Sequence, residues 1–159
     1  MLREFLWLIA FTFIPFLELR ASIPLGIIKF QMSWWVVFLV CIIANILLGP
    51  IIYGFLHYFM RIFLKINIIN KVWQKYVERL QKRVSPYVER WGVIGVGLFI
   101  GVPLPGSGSY SGAAGSYVLG LGFKKFFWAN ILGVLIAGVI ITIISVTGNH
   151  AWSLFIKIV

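Results

Sequence analysis

No aspartate occurs in this chain, and acids are otherwise limited to four glutamates: Glu4, Glu18, Glu78 and Glu89. There are two histidines, His57 and His150, 93 positions apart, and one cysteine, Cys41. So few acids leave nothing for carboxylate dyads, oxygen-ligated metal clusters or Ser/His/Asp triads, so the chain reads as no enzyme and as needing no metal or cofactor. A lone cysteine in an apolar run offers neither a disulfide framework nor a thiolate metal site. Charge of either sign is scarce at 11% of residues, and it is lopsided: 14 Lys+Arg give a net +10.

What fills the chain instead is apolar. Of 159 residues 61% are hydrophobic and 17% aromatic, and the mean hydropathy is +1.00. A bilayer span uses ~20 apolar residues, so the expectation is one integral membrane domain with four spans as a tight upper limit. In so apolar a chain the cations are topology signals and anionic-lipid contacts, and nucleic acid is not an expected partner. Arg3 followed by Phe5–Ile14 resembles a signal peptide, but Pro15, Glu18 and Arg20 stand where a small-residue cleavage site belongs, so retention is expected.

Two stretches read as ordinary spans, Ser33 to about Phe59 and Phe126 to Thr147, with Trp34, Trp35, Trp128 and Trp152 at or near their ends. Between them, residues 61–91 hold eight of the 14 cations, which the positive-inside bias assigns to the cytoplasm. Within this linker Ile69, Val72, Trp73, Tyr76, Leu80 and Val84 alternate with Lys71, Lys75, Arg79 and Lys82 at helical spacing, the pattern of an amphipathic helix on a membrane surface.

Two further segments are apolar but broken at their midpoints. In Phe5–Phe30 the interruption is Pro15, Glu18, Arg20 and Pro24. In Gly92–Gly122, which holds ten of the 16 glycines, it is Pro103-Leu-Pro105-Gly106-Ser107-Gly108. Each interior glycine costs a helix ~1 kcal/mol and each proline ~3 kcal/mol, so smooth spans are not expected. Each segment is either one kinked crossing or a re-entrant hairpin of two half-helices. Charge favours the hairpin for the second, because Lys124 and Lys125 then return to the side of the basic linker. Ala44-Asn45-Ile46-Leu47 and Ala129-Asn130-Ile131-Leu132 recur in the two spans, each after a broken segment. The expected fold is therefore all-α: two inverted repeats (5–60 and 92–147), each a re-entrant hairpin plus one span, a cytoplasmic amphipathic linker (61–91) and a short interfacial C-terminal segment (148–159).

Ionisable groups at membrane depth cost ~2.5–3.5 kcal/mol even on lenient scales. Glu18 and Arg20 are thus candidates for proton and substrate binding, or for a mutual salt bridge that pins the first break. The second break joins Pro103, Pro105 and Gly106 to the hydroxyls of Ser107, Ser109, Tyr110 and Ser111 around Gly108. A half-helix beginning there would point free N–H groups at the membrane centre, an anion site; the alternative is a tight turn with capping serines. Asn45 and Asn130 read as packing glue or as substrate contacts. Gly108, Gly112, Ser116 and Gly120, and likewise Ala129, Gly133 and Ala137, form small-residue stripes for close helix packing, the second also suited to a homodimer.

The run Phe13-Ile-Pro-Phe-Leu-Glu18-Leu-Arg20-Ala-Ser-Ile-Pro24, together with Pro103-Leu-Pro-Gly-Ser-Gly-Ser-Tyr-Ser-Gly112, resembles the small multidrug export family over nearly the whole chain. The resemblance maps the family's glutamate, arginine and second proline onto Glu18, Arg20 and Pro24, and its proline-glycine turn onto Pro105–Gly106. Ser107 and Tyr110 stand where the family often has threonine and tryptophan. The family is similar in turn to the DedA superfamily, which implies paired hairpins and lipid-phosphate translocation or scrambling. The expected function is a small secondary transporter in the plasma membrane, proton-coupled through Glu18, carrying an anionic-headed amphiphile. The alternatives are proton-coupled export of cationic drugs and a non-transporting, membrane-organising protein. Membrane lipids and a second copy of the chain are the expected partners.

Overall fold

The computed structural model describes residues 2–15, 17–63, 91–103 and 107–156, with Leu2, Phe63 and residues 149–156 as backbone only. The expected amphipathic helix and the Pro105–Gly106 turn lie outside the described residues. Everything described is helix or connection, with no strand among these residues. The helices are α1 (Leu2–Phe13), α2 (Glu18–Pro24), α3 (Trp34–Phe63), α4 (Trp91–Gly101), α5 (Ser109–Val118) and α6 (Phe123–Ile156).

Prolines set the boundaries of the short helices. Pro15 disfavours α geometry at Ile14, and α1 stops at Phe13. Pro103 ends α4 in the same way, and the chain resumes as α5 only after Gly108. Pro24 closes α2 and leads into a π-helical turn over Leu25–Lys29. The long helices α3 and α6 are apolar enough and long enough to cross a membrane. The expected spans are found with longer ends: α6 continues unbroken past Thr147 through Ile156, so residues 148–156 extend the helix rather than forming a separate segment.

The order short, short, long thus occurs twice, and the contacts between helices are reciprocal. α1 packs on α2 and α3, and α4 packs on α5 and α6; α2 of the first half packs on α6, while α5 of the second packs on α3. The two long helices also pack on each other, where a Cβ at Gly138 would strike Ile42. The centre holds Leu8, Ile23, Val37, Leu48, Ile100, Leu121, Phe126 and Val134, all nearly inaccessible. The outside is equally apolar: Leu39, Ile43, Leu47, Ile51 and Phe55 follow one another every four residues along α3, each about half exposed or more. A stripe of that length would be an aggregation surface in water and is an ordinary face in lipid.

Small residues let α4 approach α6. A Cβ at Gly97 would come 2.9 Å from Leu132 and 3.3 Å from the Ala129 carbonyl, and one at Gly133 would come 2.6 Å from the Gly97 carbonyl. The Ala129 carbonyl lies in this seam, and Ala129 and Ala137 are both buried. This corrects one expectation: the stripe Ala129, Gly133 and Ala137 is spent inside the chain and is not a free face for a second copy.

Candidate functional site: two broken helix pairs laced together

Breaking a helix in a membrane leaves backbone donors and acceptors with no water to satisfy them, so each must find a partner in the protein. At the start of α5 the earliest intrahelical bond is from Gly112 N to Gly108 O, which leaves the preceding N–H groups free. The Glu18 carboxylate, only 4% exposed, fills this position. Its Oε2 accepts from Ser109 N at 3.1 Å and its Oε1 accepts from Tyr110 N at 3.3 Å. A glutamate from the first break is therefore the N-terminal cap of a helix in the second, where the helix dipole favours a negative charge.

Asn45 on α3 ties this contact to the first long helix. Its Nδ2 donates to Glu18 Oε2 at 3.4 Å, while its Oδ1 accepts from Ser109 Oγ at 2.7 Å. Both Asn45 and Ser109 are fully buried. Gly108 is required here twice over: its φ of 135° is open to glycine, and a Cβ would come 2.7 Å from Glu18 Oε1. Glu18 itself takes φ 45°, an uncommon conformation for a residue with a side chain.

Arg20 crosses to the other side of the second break. Its guanidinium donates to Ser107 Oγ at 2.6 Å and to the Val102 carbonyl at 3.4 Å, and Ser107 Oγ donates to the same carbonyl at 2.6 Å. Tyr110 returns the favour, its hydroxyl donating to the Phe13 carbonyl at the end of α1 at 2.6 Å. The carbonyl ends of α1 and α4 are thus each capped by a side chain from the opposite half.

Of the residues singled out from sequence, Glu18, Arg20, Asn45, Ser107, Gly108, Ser109 and Tyr110 come together in this one cluster. Glu18 and Arg20, expected either as substrate groups or as a pair pinning their own break, both reach into the second half at different atoms. At the α5 N-terminus, where the sequence suggests an anion site, a carboxylate of the chain itself accepts from the N–H groups. Ser111 is half-buried one position further along α5, Pro24 closes α2 and Pro103 is an irregular residue after α4.

Asn130 has another task. Pro50 lies inside α3 and lacks the N–H that would bond the carbonyl of Ile46. Asn130 Nδ2 donates to that carbonyl at 3.3 Å, seated against Gly49, where any Cβ would strike its amide. Three polar contributors were not anticipated. Thr12 and Ser22 are buried with hydroxyls 2.8 Å apart, Ser22 donating to the Glu18 carbonyl at 3.1 Å. Tyr53 donates to the Leu121 carbonyl at 3.0 Å and stacks on Phe126. A signal for the first pair was present: two hydroxyls flank the Pro15 interruption inside an otherwise apolar segment.

Two membrane-length helices with an apolar exterior, and charged side chains drawn to broken helix ends, are the features of an all-helical membrane protein. A family model described as "Putative small multi-drug export protein" matches residues 18–140, and the chain belongs to that family. No curated protein and no solved structure gave a match.

Proposed function

We propose that the protein is a small secondary transporter which moves an anionic-headed amphiphile, such as a lipid phosphate, together with a proton. The observation that carries this reading is the Glu18 carboxylate seated on the α5 N-terminus beside Arg20. Donors that hold an internal carboxylate can hold a phosphate or carboxylate head in its place. Protonation of Glu18 withdraws its charge; the substrate head then takes the Ser109 and Tyr110 N–H groups, and Arg20 supplies a planar guanidinium fork. One anion replaces another, so the charge of the site is conserved while proton and substrate share the passage. No bond is made or broken, and the chain acts as no enzyme.

The architecture that suits this cycle is a pair of opposed re-entrant hairpins, α1–α2 and α4–α5, with α3 and α6 as spans. It forms an inverted repeat in the plasma membrane with residues 61–91 on the cytoplasmic side. The reciprocal helix contacts support it. So does the motif likeness to the DedA superfamily. Cysteines placed at Arg3 and Lys29 are expected to label from outside, and those at Lys82 and Lys124 only from the cytoplasm; labelling of Arg3 and Lys29 from opposite sides removes the inverted repeat. A homodimer belongs to the same proposal, with its face elsewhere than the α4–α6 seam.

The family's description favours a second reading, export of cationic drugs exchanged against a proton at Glu18. Dodecyl phosphate and dodecyltrimethylammonium share a tail and differ in head charge, so they separate the two. In proteoliposomes with an entrapped pH dye, dodecyl phosphate should carry protons inward faster than in protein-free vesicles. Glu18→Gln should abolish the difference and Arg20→Lys should weaken substrate affinity. Proton movement driven only by the cation establishes the drug-export reading, and movement driven by neither establishes a non-transporting, membrane-organising role.

A further inference from the structure

Between α4 and α5 runs a groove of about 400 Å³ that no side chain among the described residues fills. Its walls include Trp91, Gly95 and Phe99 on α4 and Ser111, Gly115 and Leu119 on α5. The volume lies in the ~300–1,000 Å³ range of small-molecule sites. Ser111 to Leu119 spans ~12 Å at 1.5 Å per residue, the reach of a medium-length alkyl chain.

Two of the glycines that line the groove, Gly95 and Gly115, have no neighbour among the described residues that explains them. A Cβ at Gly95 or at Gly115 would meet nothing within 4 Å, and neither residue has a positive φ. They therefore differ from Gly97, Gly112 and Gly133, whose missing side chains let neighbours of the same chain approach. Glycine weakens a helix interior, and at positions 95 and 115 it gives the chain no contact in return. The result is an empty apolar slot on a pair of helices whose outer residues, Trp91 and Phe99 among them, are about half exposed. Ser111, at one end, is the next residue along α5 after Tyr110, whose N–H contacts Glu18, so the groove begins within one helical turn of the Glu18 cluster.

We propose that this groove holds the alkyl chain of the amphiphile whose head engages the Glu18–Arg20 cluster, an inference that rests on the transport reading above. A flexible unbranched chain fits a narrow channel lined by glycine and aromatic surface, and burying it there replaces lipid contacts with equally apolar ones in a fixed position.

The test uses the full-length protein in nanodiscs with dodecyl phosphate bearing a photoactivated diazirine on its last carbon. Crosslinks are expected to concentrate in peptides 91–99 and 111–119. Gly95→Leu and Gly115→Leu place a side chain in the slot from a Cβ that has no neighbour within 4 Å, so assembly should be unchanged while groove labelling falls about tenfold, as expected when an apolar contact surface is removed. Gly54→Leu on α3, equally open but away from the groove, should leave labelling as it was. Unchanged labelling in the two filled variants, crosslinks spread evenly over the outer faces of α3 and α6, or protein–protein crosslinks through the groove would each overturn the proposal. Dodecyl phosphate transport that persists at full rate in both filled variants refutes the groove but leaves the transport reading intact. Groove labelling without transport does the reverse.

Discussion

The first break, at residues 14–17, is followed at once by a glutamate and an arginine, whereas the second, at 102–108, lies in a stretch with no charged residue from Trp91 to Phe123. In the structure the charged break supplies its two charged side chains, and the uncharged one meets them with backbone groups and the Ser107 hydroxyl. Glu18 caps the N–H groups of α5, and Arg20 caps the carbonyl end of α4. Tyr110 and Ser109 cross the other way, to the Phe13 carbonyl and to Asn45. The two halves share an order of helices but not a chemistry, and the difference explains why both charges sit in one half: a break rich in glycine exposes the most backbone and needs the strongest external partners.

The largest effect should come from removing the carboxylate. Glu18→Ala strips three donors, the N–H groups of Ser109 and Tyr110 and the Asn45 amide, of their acceptor in a buried site. Each buried donor left without an acceptor costs ~1–3 kcal/mol, so unfolding in mixed micelles should shift by several kcal/mol. Glu18→Gln should fall in between, because its amide turns one acceptor into a donor facing other donors. A wild-type unfolding curve for Glu18→Ala would show that the two breaks are not joined through this residue.

Gly108→Ala and Gly133→Leu come next and separate two uses of glycine. At Gly108 the φ of 135° and the nearby Glu18 carboxylate both resist a methyl group, and strain of this kind costs ~1–3 kcal/mol. Leucine at position 133 overfills the α4–α6 seam, also a matter of ~1–3 kcal/mol. The loss in Gly133→Leu should be independent of protein concentration, since the seam lies within one chain. A concentration-dependent loss would restore the stripe as a contact between copies.

Much of this was legible in the sequence because proline and charge are so rare against the apolar background. Pro15, Pro103 and the Glu18/Arg20 pair mark the breaks, and the runs beginning at Ser33 and Phe126 locate the starts of the two long helices within three residues. The direction of the contacts was not legible. Glu18 and Arg20 are two residues apart, and local spacing suggests they answer to each other or to a ligand; that each reaches a site about 90 positions away is decided by the packing of α2 and α5 against the long helices. The glycine stripe from Ala129 to Ala137 has the same form whether it meets another helix of its own chain or another copy. Pro50 was passed over because a single proline inside a long apolar run hardly changes its hydropathy, yet it determines what Asn130 does.

Asn45 and Asn130, embedded in identical tetrapeptides, give the smallest and sharpest comparison. Asn45 bridges Glu18 and Ser109 within the cluster; Asn130 donates to the Ile46 carbonyl that Pro50 leaves without its helical partner. Removing the amide in Asn130→Ala leaves that carbonyl unpaired, a loss of about 1–2 kcal/mol. Pro50→Ala restores a backbone N–H four residues after Ile46, so the carbonyl no longer needs Asn130. The loss caused by Asn130→Ala should therefore shrink to a few tenths of a kcal/mol when Pro50→Ala is already present, a coupling large enough for a double-mutant cycle in mixed micelles to resolve. The same cycle between Asn45→Ala and Pro50→Ala should be additive, because Asn45 serves a different partner. Equal losses from Asn130→Ala with and without the proline would mean that the amide acts somewhere other than at Ile46, and that the two asparagines are closer in role than their hydrogen bonds indicate.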